Sequence, residues 1–99
     1  MNQINNIYSE AIQNKKMLRF RYDGHERFVE PYCIGMSTAG NEIVLCYQTG
    51  GGSNSGHVPG WHSMTTFKID NLQTTQISFI PRSDYNGPGK NFIDIFNQI

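Results

Sequence analysis

Ile4, Ile7, Tyr8, Ala11 and Ile12 recur at i, i+3, i+4, i+7 and i+8. That spacing is one apolar stripe and predicts a helix over about Gln3 to Asn14. Lys15 and Lys16 follow, where the helix dipole favours cations. From Met17 the period falls to two: Leu18, Phe20 and Tyr22 alternate with Met17, Arg19 and Arg21, which predicts a strand. Asp23-Gly24 tolerates positive φ and predicts a tight hairpin into a returning strand over about His25 to Glu30. Pro31 suits a strand end or edge, because it cannot donate to a central ladder. Tyr32, Cys33, Ile34 and Met36 form a further apolar run, closed by a turn at Ser37 to Asn41.

Glu42 to Gln48 alternates again, with Ile43, Leu45 and Tyr47 on one face and Val44, Cys46 and Gln48 on the other. Trp61 to Ile69 and Thr74 to Ile80 are the remaining strand-like runs, separated by a turn at Asp70-Asn71. Short strands at this spacing, joined by tight turns, predict a small antiparallel β-barrel or curled sheet. After a polar linker over Pro81 to Gly89, Phe92, Ile95, Phe96 and Ile99 return to helical spacing. So short a helix is marginal alone and must dock on the barrel, on the first helix or on another copy of the chain. The expected organisation is one domain over 1–99: an N-terminal helix over 1–16, a barrel over 17–80, and a linker with a short C-terminal helix over 81–99.

The chain of 99 residues has room for one modest core, which six Phe, five Tyr and one Trp can fill. Eight basic and eight acidic residues cancel. This balance argues against a nonspecific nucleic-acid coat or a membrane-surface protein, while leaving room for a local basic pocket. No apolar run approaches the ~18 residues of a membrane span, and the first residues do not form a signal peptide. The expected location is the cytoplasm, with no membrane partner and with Cys33 and Cys46 as buried free thiols.

The stretch that changes this picture is Tyr47 to Trp61, a long connection rich in glycine, serine and asparagine. Connections in compact domains usually run about 4–6 residues, and longer ones tend to be functional or disordered. Gly50 to Gly56 could turn consecutive N–H groups toward an anion, with Ser53 and Ser55 adding hydroxyl donors. It is not a Walker loop, because no Gly-Lys-Ser/Thr ending precedes a helix; the alternative is a plain hairpin connection. Trp61 borders the loop and offers a stacking surface for a base, as Tyr22, Tyr32 and Tyr47 also could, and Gln48 stands at the other edge.

Arg27 carries a planar fork suited to phosphate, or else pairs on the surface with Glu26 or Glu30. Arg19 and Arg21 share a strand face and either widen a basic patch or stay solvated. His57 and His62 could form an acid/base pair on a phosphodiester, although no spacing fixes their geometry. Two scattered cysteines and three histidines lack metal-ligand spacing, and neither a nucleophile elbow nor a paired-acid motif is present. No catalytic residue, metal or cofactor is therefore expected.

Ala11-Ile12, Leu18-Arg19-Phe20-Arg21-Tyr22 and Arg27-Phe28-Val29-Glu30-Pro31-Tyr32 together resemble the opening of the WYL domain. Gly40 with Ile43-Val44-Leu45-Cys46-Tyr47 resembles its next strand, and Trp61 to Leu72 its later one, so the resemblance covers roughly 4–80. The Trp-Tyr-Leu triplet is replaced by Ile43-Val44-Leu45, and Asn71 stands where the family has an arginine. These 99 residues leave no room for the helix-turn-helix that usually accompanies the domain. The chain is closer to small stand-alone WYL-like proteins.

The resemblance implies an SH3-like or Sm-like barrel that binds nucleotide or nucleic acid in a regulatory role. It places Tyr22 and Arg27 toward the ligand. The expected function is a non-enzymatic module for a nucleotide or short single-stranded nucleic acid, acting as a sensor or as a sponge for a nucleotide signal. The expected ligand-binding residues are Tyr22, Arg27, Gln48, Ser53, Ser55, Trp61 and His62, in a homo-oligomer. The alternatives are an interaction subunit with no small ligand, its helical stripes buried across a dimer, and a two-histidine phosphodiesterase.

Overall fold

The predicted first stripe forms helix α1 (Gln3–Asn14), with Tyr8, Ala11 and Ile12 buried. Lys15 ends it in the left-handed region, φ 55°, a cap position that usually falls to glycine. The computed structural model describes residues 3–54, 56 and 58–99. Its strands are β1 (Lys16–Tyr22), β2 (His25–Ser37), β3 (Glu42–Gly51), β4 (Gly60–Thr65), β5 (Asp70–Ser78) and β6 (Phe92–Gln98). Asp23 and Gly24 both take positive φ and make the β1–β2 hairpin, with Tyr22 opposite His25. One 3-10 turn over Thr66–Lys68 joins β4 to β5.

The strands form one antiparallel sheet in the order β4-β3-β2-β1-β5, with β6 also paired to β2. The expectation of a closed barrel is corrected here. Among the described residues β4 and β5 exchange no ladder bonds, so the path of strands ends in two unjoined edges. The short turn between them brings these edges together at one end, where the Thr65 amide donates to the Tyr22 hydroxyl over 3.2 Å. The sheet is therefore rolled but open. α1 packs on β1, β2, β5 and β6 and covers a core of Leu18, Phe20, Val29, Ile34, Val44, Cys46 and Met64.

The expected C-terminal helix is likewise corrected: Phe92–Gln98 is a strand. The cause lies in β2, which runs through Pro31 as one 13-residue strand. β3 lines one side of it, while on the other side β1 pairs only as far as Val29. The backbone from Cys33 to Ser37 would leave unpaired N–H and C=O groups there, and β6 pairs with them. Gly35 permits the approach, since a Cβ would collide with the Asp94 carbonyl. Pro31 falls between the two partners and beside a register shift in the β3 ladder, so its missing N–H interrupts no regular run of bonds. A short run such as Phe92-Ile93-Asp94-Ile95-Phe96 fits either period, and the open partner decides it.

Among the described residues no helix is long and apolar enough to cross a membrane.

Candidate functional site

Strand register sorts the predicted site residues onto two faces of the sheet. Cross-strand partners share a face. Val44 opposite Met64, Cys46 opposite His62 and Gln48 opposite Gly60 define the α1 side. Glu30, Tyr47 and Trp61, in register across β2, β3 and β4, define the other.

Arg27 lies on the α1 side, two residues before the core Val29 on β2. Its Cα partner is Gly51, where a Cβ would collide with the Glu26 carbonyl; φ at Gly51 is +89°. Glycine therefore lets β3 close over this end of β2, and the Gly52 amide completes the junction by donating to the Glu26 carbonyl over 3.0 Å. The result is a buried guanidinium, 3% exposed. Nη1 donates to Gln48 Oε1 over 3.2 Å and Nη2 to the Tyr22 carbonyl over 3.0 Å. The Tyr22 ring lies 5.3 Å from the guanidinium carbon, within cation–π range. Nε is buried without a partner among the described residues.

Neither acid considered as a surface partner reaches Arg27. Glu26 bonds Arg19 over 2.8 Å, and Glu30 bonds Arg82 over 3.0 Å. A buried arginine is ordinarily paired with a carboxylate or other anion, because leaving its charge alone in a poorly solvating medium is costly. Among the described residues the acceptors that meet it are neutral.

Arg27 lines a cavity of about 170 Å³ together with Tyr22, Asp23, Ser53, Asn54, His62, Ser63 and Met64. The structure thus gathers Tyr22, Arg27, Ser53 and His62. Gln48 stands beneath them, fully buried, its Nε2 donating to the Gly50 and Gly52 carbonyls over 2.9 and 3.0 Å. That side chain ties the guanidinium to the root of the glycine loop. His25 holds the loop farther out, with Nε2 and Asn54 Oδ1 2.9 Å apart. Ser55 and His57 lie outside the described residues. Asp23 and Asn54 escaped sequence reasoning; the Asp-Gly hairpin and the loop were both legible, but not that they share a cavity.

Trp61 stands on the opposite face, apart from Arg27. Its ring meets Tyr32 at 4.8 Å, Tyr47 at 5.2 Å and Tyr85 at 5.9 Å, and Nε1 donates to Asp84 over 3.1 Å. The segment after β5 crosses this face. Phe79 packs on Tyr32, Arg82 lies 3.7 Å from the Tyr47 ring centroid, and Arg82 makes two bonds to Glu30 at 3.0 and 3.3 Å. Tyr32 is fully buried; its hydroxyl donates to Glu30 and accepts from the Arg82 amide. Burial pushes the Tyr32 phenol up to about 12, with the Arg82 amide opposing and Glu30 adding to it. Arg82 went unnoticed in the sequence, although Tyr85 beside it is an aromatic signal inside a polar linker.

Burial pushes the Cys33 thiol up to about 11 and the Cys46 thiol up to about 12, the latter against the opposing charge of Arg27. Both are free thiols held in the protonated form. Among the described residues no group of three His, Cys, Asp or Glu side chains could hold a metal ion. Compared with family models, curated proteins and solved structures, the chain matches none.

Proposed function

We propose that the chain is a non-enzymatic binding module whose buried Arg27 takes a phosphate group of a nucleotide or short single-stranded nucleic acid, for sensing or sequestering a nucleotide signal. The observation that carries this reading is the buried guanidinium with no carboxylate partner among the described residues and an unbonded Nε. A guanidinium offers an N–H fork that matches two phosphate oxygens, and Arg27 lines the cavity. Ser53 and His62 stand at the same cavity with further polar groups. At about 170 Å³ the cavity suits a phosphate and its neighbouring atoms rather than a whole nucleotide, since pockets for complete small ligands run from about 300 Å³. The WYL resemblance belongs to the same proposal, because Tyr22 and Arg27 are the residues that it turns toward the ligand.

The test is Arg27→Met, read in two ways. A phosphate-binding arginine predicts loss of nucleotide binding in calorimetry, with folding stability changed by less than about 1 kcal/mol, because removing an unpaired buried charge offsets the two lost hydrogen bonds. A stability loss above about 3 kcal/mol, with binding to the residual folded protein intact, would assign Arg27 to the fold instead.

A second reading, self-association, is favoured by a different observation. Phe67, Ile77, Ile80, Ile93 and Phe96 are exposed, Ile80 at 89%. β5 is an open edge that carries no Lys, Arg or Pro to block strand addition. Light scattering at micromolar concentration tests it, and a strict monomer would remove it.

A further inference from the structure

Three consecutive residues of β4, His62, Ser63 and Met64, line the Arg27 cavity. β4 ends the path of strands, so its outer edge carries main-chain groups that no ladder among the described residues uses. The Thr65 amide tells which residues those are. It donates to the Tyr22 hydroxyl over 3.2 Å, away from β3. In an antiparallel pair, residues alternate between exchanging both main-chain bonds with their partner and turning both away. The β3–β4 register runs from Ile43–Thr65 to Gln48–Gly60 without a shift. Ser63 therefore turns its N–H and C=O to the same outer edge as Thr65.

Its side chain goes elsewhere. His62 and Met64 face the α1 side, so Ser63 between them faces the side of Trp61. What Ser63 brings to the cavity is its main chain, a donor and an acceptor next to each other. The neighbouring amide on this edge already meets a hydroxyl, that of Tyr22. Ser63 offers the next such position, beside Arg27.

In a cavity of about 170 Å³, the group that meets Ser63 must lie within a few atoms of the phosphate. It must also donate and accept together. In a nucleotide the ribose 2′-hydroxyl beside a 3′-phosphate does both, and deoxyribose lacks it. The base edges lie beyond the sugar.

We infer that the Arg27 cavity takes a ribonucleoside 3′-phosphate in preference to its deoxy counterpart, with the phosphate on Arg27 and the 2′-hydroxyl on the main chain of Ser63. This inference rests on Arg27 being a phosphate site. Arg27 holds the charge, and the edge of β4 reads the sugar.

Calorimetry compares adenosine 3′-phosphate with its 2′-deoxy and 2′-O-methyl forms, on the wild type, Arg27→Met, Ser63→Ala and Ser63→Pro. The wild type binds the ribose form about tenfold more tightly than the deoxy form, the effect of one or two hydrogen bonds. The 2′-O-methyl form cannot donate to the Ser63 carbonyl and binds no better than the deoxy form, which reads the contact without any change in β4. Ser63→Ala alters a side chain on the other face and keeps the tenfold ratio. Ser63→Pro removes the outward amide and no ladder bond, so the protein folds and the ratio falls to about one.

Equal affinity for the ribose and deoxy forms, with both lost in Arg27→Met, would overturn the sugar preference and leave the phosphate site standing. A preference that survives Ser63→Pro in folded protein, or that vanishes in Ser63→Ala, would overturn the main-chain contact. Binding of both forms that survives Arg27→Met, or binding of neither by the wild type, would overturn the phosphate site and the sugar preference with it.

Discussion

Arg27 Nη1 donates to Gln48 Oε1 over 3.2 Å, and both side chains are buried, at 3% and 0% exposure. The other end of the same amide binds the Gly50 and Gly52 carbonyls. Gln48 is thus a junction between the guanidinium and the start of the glycine loop. An amide suits it because it accepts on one side and donates twice on the other. Gln48→Leu keeps the bulk and removes all three bonds. The expected cost is roughly 2–3 kcal/mol, because buried polar groups are left unsatisfied. Urea unfolding measures it; a loss below about 0.5 kcal/mol would mean that water replaces the amide.

On the opposite face, Arg82 pins the segment after β5 through Glu30, whose side chain is 9% exposed. Arg82→Met leaves that carboxylate without its cation but keeps the Tyr32 hydroxyl beside it. Arg82 is itself more than a third exposed, so the expected cost is discounted for solvent to about 2 kcal/mol. Trp61 fluorescence should change in the same variant, since Tyr47, Tyr85 and Asp84 surround the indole. An unchanged emission spectrum with unchanged stability would release the segment from this role.

Stability should fall at alkaline pH. Burial raises the folded pKa of Cys46 from 9.0 to about 12, of Cys33 from 9.0 to about 11, and of Tyr32 and Tyr85 from 10.0 to about 12. Each group binds its proton more tightly folded than unfolded. Its contribution is therefore complete below the unfolded value and is lost as pH rises through the folded one. Unfolding free energy is expected to decline from about pH 9 through pH 11, and Cys46→Ala should flatten part of that decline. A level profile over this range would show that the thiols and phenols are better solvated than their burial implies.

Lys15 holds φ 55° at the end of α1 and is exposed. A side chain there costs about 1–2 kcal/mol relative to ordinary helical backbone. Lys15→Gly relieves that strain while adding freedom to the unfolded chain, so a net gain of up to about 1 kcal/mol is expected. Thermal unfolding reads it directly; a lower midpoint would show that the Lys15 side chain contributes more than its backbone costs.

Where local pattern dominates, sequence and structure agree. The stripe through Tyr8, Ala11 and Ile12, the alternation of Leu18 and Phe20, and the Asp23-Gly24 turn each depend on neighbours within a few residues. The candidate site was legible in part for the same reason. Gln48, Ser53 and His62 flank one loop, and Tyr22 and Arg27 flank one hairpin, so each group was recognisable. Trp61 was joined to them because it borders the loop. Along β4, however, it follows Gly60 and precedes His62, and a strand turns successive side chains to opposite faces. Only the register of Tyr47 with Trp61 and Cys46 with His62 shows which face each occupies.

The sequence by itself determined the helix, the hairpin, the strand-rich middle and the absence of a charge excess, because these follow from periodicity and composition. Tertiary structure decided three things. Phe92 to Gln98 became a strand because β2 offered unpaired backbone beyond the reach of β1. The sheet stayed open because β4 and β5 meet at a turn without exchanging a ladder among the described residues. Arg27 lost its choice of Glu26 or Glu30 because β2 turns those acids to the opposite face, where Arg19 and Arg82 hold them, and so its charge stays inside, lining a cavity. Each outcome depends on a partner far away in the chain, and pairing over such separations leaves no mark on local periodicity.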